Sequence, residues 1–393
     1  DAGQKVTWDC VWFGSYPQSE VVCENDSEAI ANLEMMNGTY QDAGFSKVSQ
    51  STWNSIVNAS YDSNGDATIG KTKYRRIYGG DATCSTSDSR YYYNWTDPTT
   101  YHYFKYEPIK WRVLEIDGKD AFLLADKALD DQQYNIKNVS ITWEESSVRN
   151  WLNGIFINSA FTSSEQSAIK TTDGVNDNNV TYGTAGGNNT SDKIFFLSEN
   201  EVYHSNMVPK YGFTKDKDTY DEGRRCKSST FAKAMGAFNE TDSSYAGNCW
   251  WWLRSPGNYA NSTIFVFDSG SVYNIGNYVH FRATAVRPAL HLDLSSSDLY
   301  SYAGTVCSDG TQNEVGGGTV TPDQPVITED QLFGEYANYL DNKAYATICD
   351  GLVSDMDDVM GENHDGWITF RTALKWTGSV QAARVIKSYW GKD

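Results

Sequence analysis

No run of 18 or more apolar residues occurs anywhere in this chain, so no segment is long enough to cross a bilayer as a helix. Basic residues are also scarce. Lys and Arg number 32 against 51 Asp and Glu, a net charge of −19. Nucleic-acid binders carry basic footprints that neutralise phosphates, so no nucleic-acid partner is expected. Self-repulsion of this size instead keeps an extracellular or virion protein soluble. There are five histidines (His102, His204, His280, His291 and His364) and no H-x-x-x-H pair. No G-x-S-x-G, P-loop or dinucleotide fingerprint is present. The chain is therefore read as a non-enzyme with no catalytic set and no cofactor. It starts at Asp1 with neither Met nor signal peptide, as a mature or trimmed form does.

Cysteines are few and scattered. None of the seven (Cys10, Cys23, Cys84, Cys226, Cys249, Cys307, Cys349) forms a C-x-x-C pair, so neither a zinc nor a redox site is expected. An odd number leaves at least one free thiol. Cys10 with Cys23 is one pairing open to the chain, which the sequence does not assign. The string from Gly361 to Thr369 has acidic and amide residues at EF-hand spacing. Position one is Gly361 and position twelve is Thr372, so both strong oxygen ligands are missing and no calcium site is expected.

Aromatic residues are abundant, with 13 Trp and 26 Tyr. They serve cores and also supply rigid contact area at recognition surfaces. Residues 7–22 read as an opening strand broken by a turn at Gly14, Ser15, Tyr16 and Pro17. Residues 26–37 keep helical spacing through Ala29, Ile30, Leu33 and Met36. Residues 59–100 read as loops with short strands and include Tyr91, Tyr92, Tyr93 and Trp95. A hairpin comes next, with Asp117 and Gly118 between apolar runs at 106–115 and 121–126. Thr142 with Glu145 reads as a capping box opening a helix-bearing segment through 161. Residues 171–191 form a polar loop rich in Asn and Gly. Short elements lie at 193–198 and 229–238. Residues 308–328 are a linker by Gly, Pro and Thr content, and 329–393 form a small helical accessory region.

The most informative stretch is 258–285. It contains no Lys, Glu, Gln, Met or Trp, yet is dense in Asn, Ser, Tyr and Phe. Outside its valines and glycines, every residue can be reached from an Asn codon by changing only adenines. The five missing types and the stop codons cannot. The flanks are W-W-W-L-R-S-P-G at 250–257 and V-R-P-A-L at 286–290.

In this the chain resembles the variable proteins of diversity-generating retroelements, whose genes receive adenine-mutagenised copies of a template. The wording at 106–115, 146–161, 191–202, 250–257 and 286–292 resembles a wider group of bacterial and phage surface domains. The resemblance implies an α+β, C-type-lectin-like fold over residues 1–307. It would have short twisted antiparallel strands, a few helices and much loop. It also implies that the variable side chains form a ligand-binding face.

On this reading Val266, Val272 and Val279 point inward. The contacts come first from Asn258, Tyr259, Asn261, Ser262, Thr263, Ile264 and Phe265. Phe267, Asp268, Ser269 and Ser271 lie at one turn, and Tyr273, Asn274, Ile275, Asn277 and Tyr278 beyond it. His280, Phe281, Arg282, Ala283 and Thr284 complete the set. Phe265, Phe267, Tyr273, Ile275, Tyr278 and Phe281 would be exposed, a patch that marks a binding site. The implied partner is a protein or glycan on a cell or host surface.

The same fold carries enzymes. The formylglycine-generating enzymes use a closely placed Cys pair, whereas Cys249 and Cys307 stand apart in this sequence. The calcium-binding Glu-Pro-Asn, Gln-Pro-Asp and Trp-Asn-Asp strings of sugar-binding lectins are absent too. Asn-rich strands on a purely structural surface module are the remaining alternative. Arg254 and Arg287 read as buried structural arginines paired to carboxylates.

Overall fold

The first strand, β1 (Thr7–Cys23), is the axis of the main sheet. It pairs antiparallel with β2 (Tyr101–Asp117) on one side and with β8 (Ser301–Cys307) on the other. The turn read at Gly14 to Pro17 does not form, because these residues bulge the strand without reversing it. The register against β2 shifts between Trp12 and Ser15 and again between Pro17 and Ser19. Gly14 has φ +67°, and a Cβ there would sit 2.4 Å from the Phe161 ring. A bulge bends a strand and increases its twist, which lets 17 residues wrap a core.

The computed structural model describes residues 6–40, 44–79, 99–203, 211–213, 217–218, 220–241 and 244–316. The expected helical region at 329–393, the Gly361 string, Tyr91 to Tyr93, Trp95, His204, Cys84 and Cys349 lie outside the described residues.

The fold is α+β, dominated by antiparallel sheets with few, short helices. The hairpin expected around Asp117 and Gly118 forms and joins β2 to β3 (Asp120–Ala125), but its turn is one residue later, at Gly118 and Lys119, because Asp117 pairs with Asp120; Gly118 holds φ +59°. From β3 the main sheet passes to β7 (Ala289–Asp293) and ends on Ile194–Phe195. At the other side it runs through β8 to Gln312–Glu314. The expected linker therefore starts too early at 308. Residues 312–314 pair with 304–306, and the Trp12 indole donates to the Val315 carbonyl at 2.9 Å.

A second sheet of five strands carries the stretch of interest. Its order is β6 (Val272–Tyr278), β5 (Ser262–Val266), β4 (Trp251–Pro256), Ala285–Val286 and Asp130–Asp131. One core joins the two sheets. Trp111, Trp143, Trp251 and Trp252 are buried in it. A buried indole needs an acceptor, and each has one. Trp111 donates to Phe13 O at 2.8 Å, Trp143 to Asp192 at 3.0 Å, Trp251 to Arg224 O at 3.1 Å and Trp252 to Gln132 O at 2.9 Å.

Apart from Ser27–Tyr40, the helices are brief, and several begin at a side-chain cap. Ser198 with Glu201 and Thr162 with Glu165 make complete capping boxes. The box read at Thr142 and Glu145 is not made. Trp143–Glu145 is a 3₁₀ turn with no side-chain cap, and the helix is capped instead by Ser146, whose hydroxyl accepts from Arg149 N. A π turn at Leu152–Phe156 interrupts the helix between Trp151 and Ile157.

Candidate ligand-binding face

The hairpin β5–β6 places Val266, Val272 and Val279 in the core, as read. Val266 lies opposite Val272, and Phe265 opposite Tyr273. The simple inward–outward alternation fails on β5, however. This strand has β4 on one side and β6 on the other, and all five of its residues are buried.

Eight of the expected contacts are therefore inside. Ser262, Thr263, Ile264, Phe265, Ser269, Asn274, Ala283 and Thr284 are buried, so they are corrected from contact residues to framework. Several show the structural reason directly. Thr263 Oγ1 donates to Ser255 O at 2.7 Å, and Asn274 donates to Thr181 Oγ1 at 2.8 Å. Ala283 holds φ +85°, rare for a residue with a Cβ, and its N–H points at Asp131 Oδ2. Phe265 sits in an aromatic cluster with Trp250, Trp252, Phe267 and Tyr273.

Phe267, Tyr273 and Phe281, expected to be exposed, are half-buried where they pack on the core. Trp250 explains this. It contacts Phe238, Phe265, Phe267 and Phe281, and its indole donates to Asp268 Oδ1 at 2.8 Å. Burial raises the Asp268 carboxyl above its usual range. Asn258, Asn261, Ser271, Asn277 and His280 are half-buried too. Four expected contacts are more open to solvent or lie at the rim: Tyr259, Ile275, Tyr278 and Arg282.

Two loops extend this edge, the second of them part of the polar loop read at 171–191. The first covers 132–141. Asn135 N donates to Val279 O at 2.7 Å, Ile141 N to Ala260 O at 2.9 Å, and Asn261 to Asn138 Oδ1 at 3.1 Å. Gln133 also donates to His280 O. The second covers 175–187. The Asn179 amide donates to Pro256 O at 2.9 Å and to Asn274 O at 3.1 Å.

These loops expose Ile136, Val139, Val175, Val180 and Tyr182. With Tyr259, Ile275 and Tyr278 they are most of the large apolar side chains exposed among the described residues. Ile136 is the most open of these eight, at 68 %. The signal in the sequence was an isolated Ile, Val or Tyr inside an Asn-rich loop, where no core periodicity explains it.

The flanking arginines differ from each other. Arg254 is paired as read, 2.7 Å from Glu201. Burial alone would raise Glu201, but the guanidinium outweighs it and holds the carboxyl below its usual range. Arg254 also donates to Phe196 O and Val175 O, tying the second loop to the strands. Among the described residues Arg287 makes no ion pair with a carboxylate; it donates to Ala125 O at 2.8 Å and Arg224 O at 3.4 Å. Among the described residues, no group of three or more His, Cys, Asp or Glu stands together as a metal set. No described helix is long and apolar enough to cross a membrane.

The cysteine readings are also corrected. Cys10 and Cys23 lie near opposite ends of one long strand and are both free thiols, Cys10 beside Trp8 O and Cys23 beside Gln50. Cys249 is not isolated in space, because its backbone N–H donates to Cys226 O at 2.8 Å.

Residues 118–294 match a family described as a domain of unknown function, DUF6273. The match spans the hairpin, both loops and both arginine-bearing flanks. No curated protein and no solved structure matches the chain.

Proposed function

We propose that this is a ligand-binding protein of a cell surface or virion, and not an enzyme. Its hairpin edge at 258–284 and the two attached loops recognise a protein or glycan on a cell or host surface. The observation that carries this reading is the concentration of exposed large apolar side chains on elements hydrogen-bonded to one hairpin. A soluble protein seldom leaves such a patch without a partner. Ile275 and Tyr278 stand on a strand, and the two loops are hydrogen-bonded to the hairpin, which limits the freedom lost on binding, whereas the −19 charge disfavours nucleic acid.

The codon pattern of 258–285 supports a second level of the proposal. The face is diversified by adenine mutagenesis on a C-type-lectin-like scaffold. Variation would then be tolerated at Tyr259, Ile275, Tyr278, Arg282 and the half-buried positions, and resisted at the eight buried ones.

Two measurements test the two levels. The DNA beside the gene should hold a reverse transcriptase gene and a second, Asn-codon-rich copy of the stretch. If neither is found, the retroelement reading fails. Independently, a variant with Tyr259→Ser, Ile275→Ser and Tyr278→Ser should lose capture on cell-surface glycan and protein arrays while melting like the parent. An unchanged capture profile would refute the face itself.

A further inference from the structure

Cys226 and Cys249 face each other across a short antiparallel ladder. Cys249 N–H donates to Cys226 O at 2.8 Å, and the neighbouring residues Lys227 and Asn248 form an antiparallel bridge. Opposed residues in that hydrogen-bonded relation have Cα atoms about 5.5 Å apart. A disulfide spans roughly 4.4–6.8 Å between Cα atoms. Both side chains are buried, and Cys226 Sγ lies 3.4 Å from Lys227 O and 3.7 Å from Asp126 O. The other described cysteines have different neighbours. Cys10 points at Trp8 O, Cys23 at Gln50, and Cys307 lies opposite Thr7.

The surroundings favour one thiolate in this pair. Arg287 is fully buried, lies 4.8 Å over the Trp251 ring, and has an Nη2 without a hydrogen-bond partner. Burial alone would raise Cys226, but the hydrogen bond with Cys249 and the charges of Arg287 and Arg112 bring it down to about 7. Burial first, and then Cys226, push the Cys249 thiol well up. The thiolate is the form that attacks a disulfide.

We propose that Cys226 and Cys249 are a disulfide-forming pair, closed by exchange with a small-molecule or protein disulfide as the chain folds. The Cys226 thiolate attacks one sulfur of the external disulfide, forming a mixed disulfide and releasing the first thiolate. Cys249 gives up its proton and attacks the Cys226 sulfur. The intramolecular bond forms and the second external thiolate leaves. Two electrons pass to the external disulfide, which departs as two thiols carrying the two protons. Both sulfurs are buried in the folded chain, so exchange takes place before the ladder closes or while it is open. The bond would tie residue 226 to the residue just before Trp250, at the foot of the strand that supports the hairpin.

The test is peptide mapping of the full chain. Protein refolded in oxidised glutathione is alkylated, digested without reductant and analysed by mass spectrometry. A peptide linking Cys226 to Cys249 is expected. The oxidised protein should also melt several degrees above the reduced one, and neither Cys226→Ser nor Cys249→Ser should show that gain. Alkylation of both cysteines after oxidative refolding, or linkage of either to another cysteine, would overturn the proposal. The mapping uses the unaltered chain, so it decides even where a serine variant does not fold.

Discussion

The side-chain amide of Asn179 donates to the backbone carbonyl of Asn274 at 3.1 Å and, with its other hydrogen, to Pro256 O at 2.9 Å. One side chain from a polar loop thereby fixes both the approach to the hairpin and its outer strand. Asn274 answers by donating to Thr181 at 2.8 Å. The face is therefore assembled from segments nearly a hundred residues apart in sequence. The hairpin's outer strand is held to a loop along its open edge, where no further strand pairs with it among the described residues.

Inward and outward residues of the hairpin should respond oppositely to substitution. Tyr259→Ser or Tyr278→Ser is expected to change stability by about 0.5 kcal/mol or less, as for exposed sites generally. Ile264→Ala removes buried volume and is expected to cost about 2–5 kcal/mol. Urea denaturation of the three variants checks this, and equal losses in all three would show that the tyrosines are framework.

Gly276 is a fixed point of the hairpin. It holds φ +79°, and a Cβ there would meet Thr263 O at 2.6 Å. Gly276→Ala is expected to cost on the order of 1–3 kcal/mol in backbone strain alone, before that contact is relieved. Gly118 gives the control. It has φ +59°, and a Cβ there would find nothing within 4 Å. Gly118→Ala should therefore cost less when both are compared by thermal unfolding.

Asp131 should oppose stability at neutral pH. Burial first, and then neighbouring Asp130, push its carboxyl well above the usual range, and Oδ1 has no partner. A carboxyl raised on folding contributes stability below its unfolded value, and that contribution is lost as pH rises through the folded value. Asp131→Asn is expected to be more stable than the parent at pH 7, with the difference shrinking toward pH 4. Unfolding curves at the two pH values measure it. A loss of stability at pH 7 would mean that the carboxylate is needed in its charged form.

The reduced thiol pair should show the opposite slope. Cys226 falls on folding from its ordinary 9 to about 7. An acid lowered on folding carries stability that is present above the unfolded value and lost as pH falls through the folded one. The reduced chain should therefore gain stability from pH 7 to 9 relative to Cys226→Ser. Arg287, Arg112, Asp126 and Lys233 are the charged neighbours that set this balance. Parallel curves for parent and variant would place the thiol, not the thiolate, beside Arg287.

Local chemistry was the legible part of the sequence. Asp117 and Gly118 announced their hairpin, and the three valines their inward direction. What escaped was set by partners distant in the chain. Phe265 is buried because Trp250 and Trp252 arrive beside it, a fact no alternation within 262–266 contains. Gly14 and Pro17 carry turn chemistry, but pairing with β2 on one side turned the expected reversal into bulges. Tyr182 read as a loop residue, and Ile136 drew no reading, because nothing local distinguishes a contact side chain from a stray one. Cys226 and Cys249 became neighbours only through a ladder that closes a long loop.

The pairing of Thr7 with Cys307, and of Glu314 with Gly304, has a mechanical consequence. Force applied between residues 6 and 316 acts on two antiparallel ladders. Residue 6 lies beside Ser308 and residue 316 beside Trp12 and Tyr302, so the pull runs along the strands and is expected to load each row of hydrogen bonds together, in shear. The ladder of Gln312–Glu314, with three rungs, would give before the longer pairing of β1 with β8 and lengthen the tether while the second sheet stays folded. A pull between these residues would thus be borne first by the edge ladders of the main sheet.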